Sequence, residues 1–371
     1  MYLDHLHLSN YRNYQTLDLS FSKNINIFIG NNAQGKTNIL ESIYVLAMTS
    51  SHRTSQWKEL IRFDTHQAHI QGELIKQNGM KVPLEIEMSK KGRKYKVNHL
   101  VQQKASQYFT AMNVILFSPE DLSLVKDAPS QRRQFLDREI GQLHPKYLHE
   151  MIQYKYLLKQ RNAYLKKFES IDDTYLTILD EQLAEVAASL MISRQQFILE
   201  LEKKANVIHQ LLSLNKEEMT LTYQSTFPVQ EMNKEEVQQT FLKVLNEKRE
   251  RDLRYRQTTI GLQKEDLVIA LNGLNVQHFA SQGQQRLVIL SLKLAEVQLL
   301  YEKTGDYPIL LLDDVMSELD DERQMRLMET IEGKVQTFIT TTTLAHIENK
   351  MKVTPAIFTV NQGQITKEEN T

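Results

Sequence analysis

Cysteine is absent from the 371 residues, which excludes a disulfide scaffold, a thiolate zinc site and a cysteine nucleophile. Glycine and proline are scarce, at 12 and 7 residues, about half their usual share. That shortage argues against collagenous, linker-rich or low-complexity sequence and favours long uninterrupted helices. No apolar run approaches the ~18 residues of a membrane helix. The best candidate, RLVILSLKLAEVQLL from Arg286, is broken by Lys293 and Glu296. The opening stretch, MYLDHLHLSNYRNY, lacks the charged-then-apolar build of a secretion signal, so a cytoplasmic protein is expected. Neither charge is in excess: 45 Lys and Arg against 46 Asp and Glu leave a net charge of −1. Any highly charged partner, nucleic acid included, must therefore be met by local patches.

What is present is globular. Hydrophobic residues make up 41% of the chain, enough for a sizeable core, and the length suggests roughly two domains. Leu17, Leu19 and Phe21 alternate with polar neighbours, and Ile25 to Ile29 is a short apolar strand ahead of glycine. From Lys36 to Met48 the period turns helical. Val82, Leu84, Ile86 and Met88 alternate as a strand, Lys90 to Lys96 reads as a hairpin, and Val114 to Phe117 as a further strand. Helical spacing dominates from Arg132 to about Leu214. Its clearest part is an apolar stripe from Leu176 to Leu212, interrupted at Ser193 and Arg194. Thereafter come a strand near Leu267 to Leu271, a helix from Arg286 to Tyr301 and a strand from Ile309 to Leu312. A helix from Asp321 to Ile331 and strands at Thr337 to Thr340 and Ala356 to Val360 close the chain. The expected architecture is a split α/β domain whose late strands complete the sheet begun before residue 30, with a helical insertion between the halves.

Gly30, Asn31, Asn32, Ala33, Gln34, Gly35, Lys36 and Thr37 match G-x-x-x-x-G-K-[ST], with a strand before and a helix after. Such a loop turns successive N–H groups, and the helix N-terminus, towards phosphates. All eight residues are candidate ATP ligands. Lys36 would reach the β- and γ-phosphates and Thr37 would hold Mg²⁺. The strand ILLL runs into Asp313 and Asp314; Asp313 would hold the Mg²⁺ and Asp314 would orient or deprotonate the attacking water. Lys36 and Asp314 are thus the candidate catalytic residues. Between these motifs, Ser281, Gln282 and Gly283 open SQGQQR just before a long apolar helix. By itself that segment reads equally well as a helix N-cap.

The order phosphate loop, SQGQ before a helix, LLLDD, then SELD resembles an ABC-type ATPase head. It is similar to the heads of structural-maintenance-of-chromosomes proteins and of the RecF family. NYRNY, GNNAQGKTNILESIY, SHRT, FSPEDL, RRQFLD, SQGQQR and ILLLDDVMSELD carry the RecF resemblance over nearly the whole chain. The fold class it implies is an α/β ABC-ATPase head, a mixed sheet around the phosphate loop formed from residues 1–128 and 262–371. A mostly helical lobe, 129–261, is inserted.

The resemblance also implies chemistry. Ser281, with Gln282 and Gly283, would cap the nucleotide of the opposite protomer in an ATP-dependent homodimer, and Arg12 would lie near the nucleotide. Pro119 to Asp121 would sense the γ-phosphate. Thr341 or Thr342 stands where such heads usually carry histidine, which implies slow hydrolysis: a weak, DNA-stimulated ATPase used as a switch. The implied setting is DNA repair, replication and the SOS response, with RecR and RecO as partners and RecA loaded at gapped DNA. Two segments depart from the family pattern. Asp127 replaces a usual glycine, and GLQKEDL (Gly261 to Leu267) replaces GPHRDDL.

Three windows are locally basic: Lys90 to Lys96, Lys155 to Lys167 and Lys248 to Arg256. Beside such an ATPase they suggest contact with DNA phosphates. The candidate contacts are Lys90, Lys91, Arg93, Lys94, Arg251, Arg254 and Arg256. Among the 11 histidines only His52, in SHRT, is a residue to test. The alternative function is the ATPase subunit of an ABC transporter; SQGQ, which lacks the second glycine of LSGGQ, and the insertion length weigh against it. A nuclease-coupled ATPase would need a second metal cluster, which the sequence does not offer.

Overall fold

The structure, a computed structural model, describes residues 1–166, 172–229, 233–344 and 351–368. Two compact units are present: Met1–Asp121 with Lys293–Thr371, and Leu122–Leu292.

The first unit holds two six-stranded sheets. One is antiparallel in the order β2-β1-β4-β5-β6-β7. Its strands are β1 (Tyr2–Tyr11), β2 (Tyr14–Ser20), β4 (Gln67–Ile75), β5 (Lys81–Ser89), β6 (Gly92–Val97) and β7 (Leu100–Gln102). The other runs β15-β14-β3-β13-β12-β8, from β3 (Ile25–Ile29), β8 (Val114–Phe117), β12 (Ile309–Asp313), β13 (Thr337–Thr341), β14 (Ala356–Asn361) and β15 (Gln364–Lys367). It is parallel except for the β14–β15 hairpin. Central β3 pairs on both sides with strands from the far end of the chain, β13 and β14. The expected completion of one sheet by both ends is therefore found.

Strands buried on both faces need continuous apolar runs, and β12 and β13 are buried at every position. The helix Lys36–Met48 belongs to the same core. Ile39, Leu40, Ile43 and Leu46 pack in one cluster with Leu3, Leu8, Leu84, Leu311 and Phe338. Phe21 makes edge contacts with Phe338 and Phe358 there, at 4.8 and 5.9 Å, the geometry aromatic quadrupoles prefer.

The second unit is built on the 40-residue helix Asp173–Leu212, about 60 Å long at 1.5 Å per residue. Asp172 caps it by accepting from Thr174 N at 2.8 Å. Its apolar stripe is buried as the spacing predicts. The break at Arg194 has a physical reason: the guanidinium is only 2% exposed and joins Asp137 at 2.8 Å and Glu265 at 2.9 Å. Helices Pro129–Leu143, Pro145–Tyr164 and Lys234–Glu247 accompany it, with a three-stranded sheet, β11-β10-β9. Its strands are β9 (Met219–Gln224), β10 (Asp266–Leu271) and β11 (Leu274–Asn275). Because β10 pairs with β9, Asp266–Leu271 folds with the helices. The second compact unit therefore runs on through this strand to Leu292.

Candidate functional site

Strand β3 ends at Ile29, and Gly30 to Gly35 form the loop that leads into the helix Lys36–Met48. Glycine is required at two points. A Cβ on Gly30 would sit 2.3 Å from the Val360 carbonyl oxygen. Gly35 has φ 115°, and a Cβ there would lie 2.7 Å from both the Asn13 amide and the Tyr14 hydroxyl. The loop is clamped from outside: Gln34 O accepts from Gly363 N at 3.1 Å, and Gln34 Oε1 from Gln362 N at 2.5 Å. Tyr14 OH donates to Gly35 O at 3.1 Å.

Lys36 Nζ lies within the loop, donating to Gly30 O at 2.5 Å and Asn31 O at 2.8 Å. Burial lowers its pKa, while Asp314 and Asp313 act to raise it. Strand β12 delivers Asp313 beside the loop, and Thr37 Oγ1 donates to Asp313 Oδ1 at 3.1 Å across 276 positions of sequence. Thr340 Oγ1 donates to the same oxygen at 2.6 Å. Burial raises the Asp313 pKa, against these two hydrogen bonds. A buried carboxylate flanked by hydroxyls is an all-oxygen donor set that suits Mg²⁺. Asp314, exposed, has φ 54°, a left-handed conformation that non-glycine residues hold only when their surroundings enforce it. Here the enforcing contacts are Thr340 Oγ1, which accepts from Asp314 N at 2.9 Å, and Ser317 Oγ, which donates to Asp314 O at 2.8 Å. Asn32, Ala33, Gly35, Lys36, Thr37, Asn38, Arg53, Asp313, Asp314 and Thr340 line one cleft.

Arg12 is not among the residues lining the cleft. It donates from Nε and Nη2 to Glu41 at 2.8 and 2.6 Å and from Nη1 to Glu59 O at 3.0 Å. The guanidinium at the cleft is Arg53, within SHRT, which donates to Asn38 Oδ1 at 2.9 Å. Its neighbour His52 has both ring nitrogens buried without a hydrogen-bond partner among the described residues and an edge contact to Tyr44 at 5.1 Å; burial lowers its pKa. Thr341 Oγ1 is turned to Thr343 O at 2.9 Å, and it is Thr340 that enters the cleft.

In the second unit Ser281, Gln282 and Gly283 are exposed at the start of the helix Gln282–Thr304. Ser281 N donates to Gln284 Oε1 at 2.8 Å and Ser281 Oγ accepts from Gln284 N at 3.3 Å, a reciprocal capping box. The cap explains why the helix begins before Arg286. A Cβ on Gly283 would meet nothing within 4 Å.

Two motifs carry buried structure. Arg132 of RRQFLD grips Asp266 at 2.7 and 2.9 Å, and Asp137 holds Arg194. Within GLQKEDL, Gln263 Oε1 accepts from Tyr154 OH at 2.6 Å, Glu265 pairs with Arg194, and Lys264 is exposed. Asp127 has φ −91°, so no glycine is needed there.

Lys90, Lys91 and Lys94 are exposed around the β5–β6 turn. Arg93 is committed, donating to Thr49 O at 2.5 Å and lying 5.9 Å from the Trp57 ring. Arg251, Arg254 and Arg256 are exposed on or beside the short helix Arg249–Tyr255, with Arg251 over Tyr255 at 5.7 Å. In the window Lys155 to Lys167, Arg161 is 0% exposed, paired with Asp180 at 2.5 Å and Asp252 at 2.7 Å; Lys167 lies outside the described residues. Among the described residues one group has metal-ligand spacing, His69 with Glu85 and Glu87. Lys96 already bridges both carboxylates at 3.1 and 2.6 Å.

The family model for the RecF/RecN/SMC N terminal domain matches residues 2–366. The DNA replication and repair protein RecF of Enterococcus faecalis is 52% identical over 376 residues, covering 100% of both chains. That of Bacillus subtilis is 47% identical over 99% of this chain and 100% of its own. A solved recombination mediator protein RecF-ATP of the RecFOR pathway superposes with a TM-score of 0.91 at 32% identity, covering 99% of this chain and 98% of that one. An Smc head bound to the C-winged helix domain of ScpA shares the fold, with a TM-score of 0.59 at 15% identity over 99% and 98% of the two chains. Full-length identity of this order, on the same α/β head, means that the chain belongs to the RecF family of DNA replication and repair proteins.

Proposed function

We propose that this chain is an ATP-dependent recombination mediator that closes head to head on DNA. The observation carrying the proposal is the Thr37–Asp313 contact, which joins a phosphate loop from one end of the chain to a carboxylate strand from the other. Asn31 to Thr37 would take the phosphates, and Lys36 would exchange its two carbonyl acceptors for phosphate oxygens. Thr37 and Asp313 would hold Mg²⁺, which offsets phosphate charge when bound. Asp314, held outward by its backbone, orients or deprotonates the attacking water. Thr340 and Thr341 offer no proton shuttle, which fits slow hydrolysis that resets the clamp.

Ser281, Gln282 and Gly283 would meet the nucleotide of a second copy. Their exposure and the open space at Gly283 leave room for that approach. Lys90, Lys91, Lys94, Arg251, Arg254 and Arg256 would contact DNA phosphates without sequence preference. Arg93 would act by holding the hairpin. In this reading RecR, RecO and RecA are the pathway partners, and gapped DNA, repair and the SOS response the setting.

Sedimentation with ATP, ADP and DNA in turn tests the proposal: a dimer is expected with ATP and a monomer with ADP. Lys36→Met, which keeps side-chain bulk but removes the cation, should abolish tight ATP binding while the protein stays folded. Wild-type ATP affinity in that variant would sink the phosphate-loop reading.

A further inference from the structure

Glu41 lies in the middle of the phosphate-loop helix with its side chain 0% exposed. Two chain segments converge on it. From the β1–β2 turn, Arg12 donates twice, at 2.8 and 2.6 Å. From the loop after the helix, Ser51 Oγ donates to Oε1 at 2.6 Å, and Arg53 Nη1 stands 3.8 Å from Oε2.

The bidentate Arg12 pair already neutralises this carboxylate, and a buried charge so paired needs no second cation. Arg53 is the second cation. At 38% side-chain exposure it lines the same cleft as Lys36 and Thr37, and Asn38, to which it also donates, lines that cleft too. Ser51 completes the arrangement: while donating to Glu41, its hydroxyl accepts from Arg53 N at 2.9 Å and Thr54 N at 3.2 Å. The backbone that carries Arg53 is thereby tied to the buried carboxylate. The Glu41 side chain has no exposed surface, so it acts at the cleft through Arg53.

We infer that Glu41 is a positioning residue for nucleotide phosphate, its buried carboxylate fixing Arg12, Ser51 and the Arg53 loop so that the Arg53 guanidinium faces the cleft. The inference rests on the phosphate-binding reading of that cleft. Loss of the partner behind a metal ligand lowers affinity about 10- to 100-fold, and a loss of the same order is expected here.

The test is a double-mutant cycle on ATP affinity, measured by calorimetric titration of the full chain with ATP and Mg²⁺. Glu41→Gln and Arg53→Ala should each weaken ATP binding by about tenfold or more. Combined, they should be no worse than Arg53→Ala alone, because the first acts through the second. Ser51→Ala, which leaves the charge in place, should cause a smaller loss that also vanishes in the Arg53→Ala background. It carries the test if Glu41→Gln fails to fold. Losses that add, or a folded Glu41→Gln protein with wild-type ATP affinity, would overturn the inference. Lys36→Met measured alongside keeps the two readings apart: if it binds ATP normally, the cleft is not a phosphate site and the parent reading fails first.

Discussion

Ser281→Asp separates two roles that coincide at one residue. Ser281 is the N-cap of the helix Gln282–Thr304, in a reciprocal box with Gln284. Loss of such a cap costs about 1 kcal/mol, and any variant that destroys it confuses stability with assembly. Aspartate caps as well as serine, and its charge is favourable at a helix N-terminus. Ser281→Asp should therefore melt as wild type does, whereas Ser281→Ala should lose about 1–2 °C. Assembly should respond in the opposite sense. If Ser281 meets the phosphate of a second copy, the new carboxylate stands against like charge. One such pair at about 4 Å costs about 4 kcal/mol at an effective dielectric near 20. That is close to a thousandfold at each site. Sedimentation velocity with ATP, beside thermal melts, reads both quantities on the same samples. Ser281→Asp is expected to be a stable monomer that binds ATP normally, and Ser281→Ala a less stable chain that still dimerises in part. An Asp variant that dimerises with ATP as wild type does would refute the idea that this helix start faces a partner's nucleotide.

Asp314→Asn should retain ATP binding and accumulate as a long-lived ATP dimer, because water activation is lost and binding is spared; rapid ADP release by the variant would count against the role. Replacing Arg251, Arg254 and Arg256 together should weaken DNA binding to all sequences alike and, with both copies of the dimer affected, lower the slope of log affinity against log salt by about 5. Titrations of labelled DNA at several salt concentrations test it, and an unchanged slope would show those residues to be merely solvated. Burial works against ionisation of Glu41, yet its Arg12 and Ser51 hydrogen bonds outweigh it and hold the pKa below the ordinary 4.5. A lowered carboxylate gives stability that is full above its unfolded value and lost as pH falls through its folded value. Denaturant melts from about pH 7 to about pH 3.5 should therefore show Glu41→Gln less stable than wild type at neutrality, with the gap closing in acid. A gap that stays constant would mean the charge is not what matters.

Features written within one turn, strand or helix were legible in the sequence. Gly30 and Gly35 announce the loop because only glycine tolerates the close approach of Val360 and the positive φ. The stripe from Leu176 to Leu212 announces the long helix through its period. Strand β9 was missed, since Met219, Leu221 and Tyr223 alternate over only six residues and gain meaning when paired with β10. Basic residues were the least legible: Arg161 and Arg251 look alike in composition, but one is buried between two aspartates and the other stands over Tyr255. Likewise NYRNY and SHRT each offer one arginine, and only the tertiary structure shows Arg12 half-buried against Glu41 and Arg53 lining the cleft. Sequence by itself determined what backbone geometry and periodicity encode, because those depend on neighbours a few residues away. Which charges are buried, and that Thr37 meets Asp313 across 276 positions, was decided by tertiary structure, because a charged side chain takes its role from what surrounds it in space.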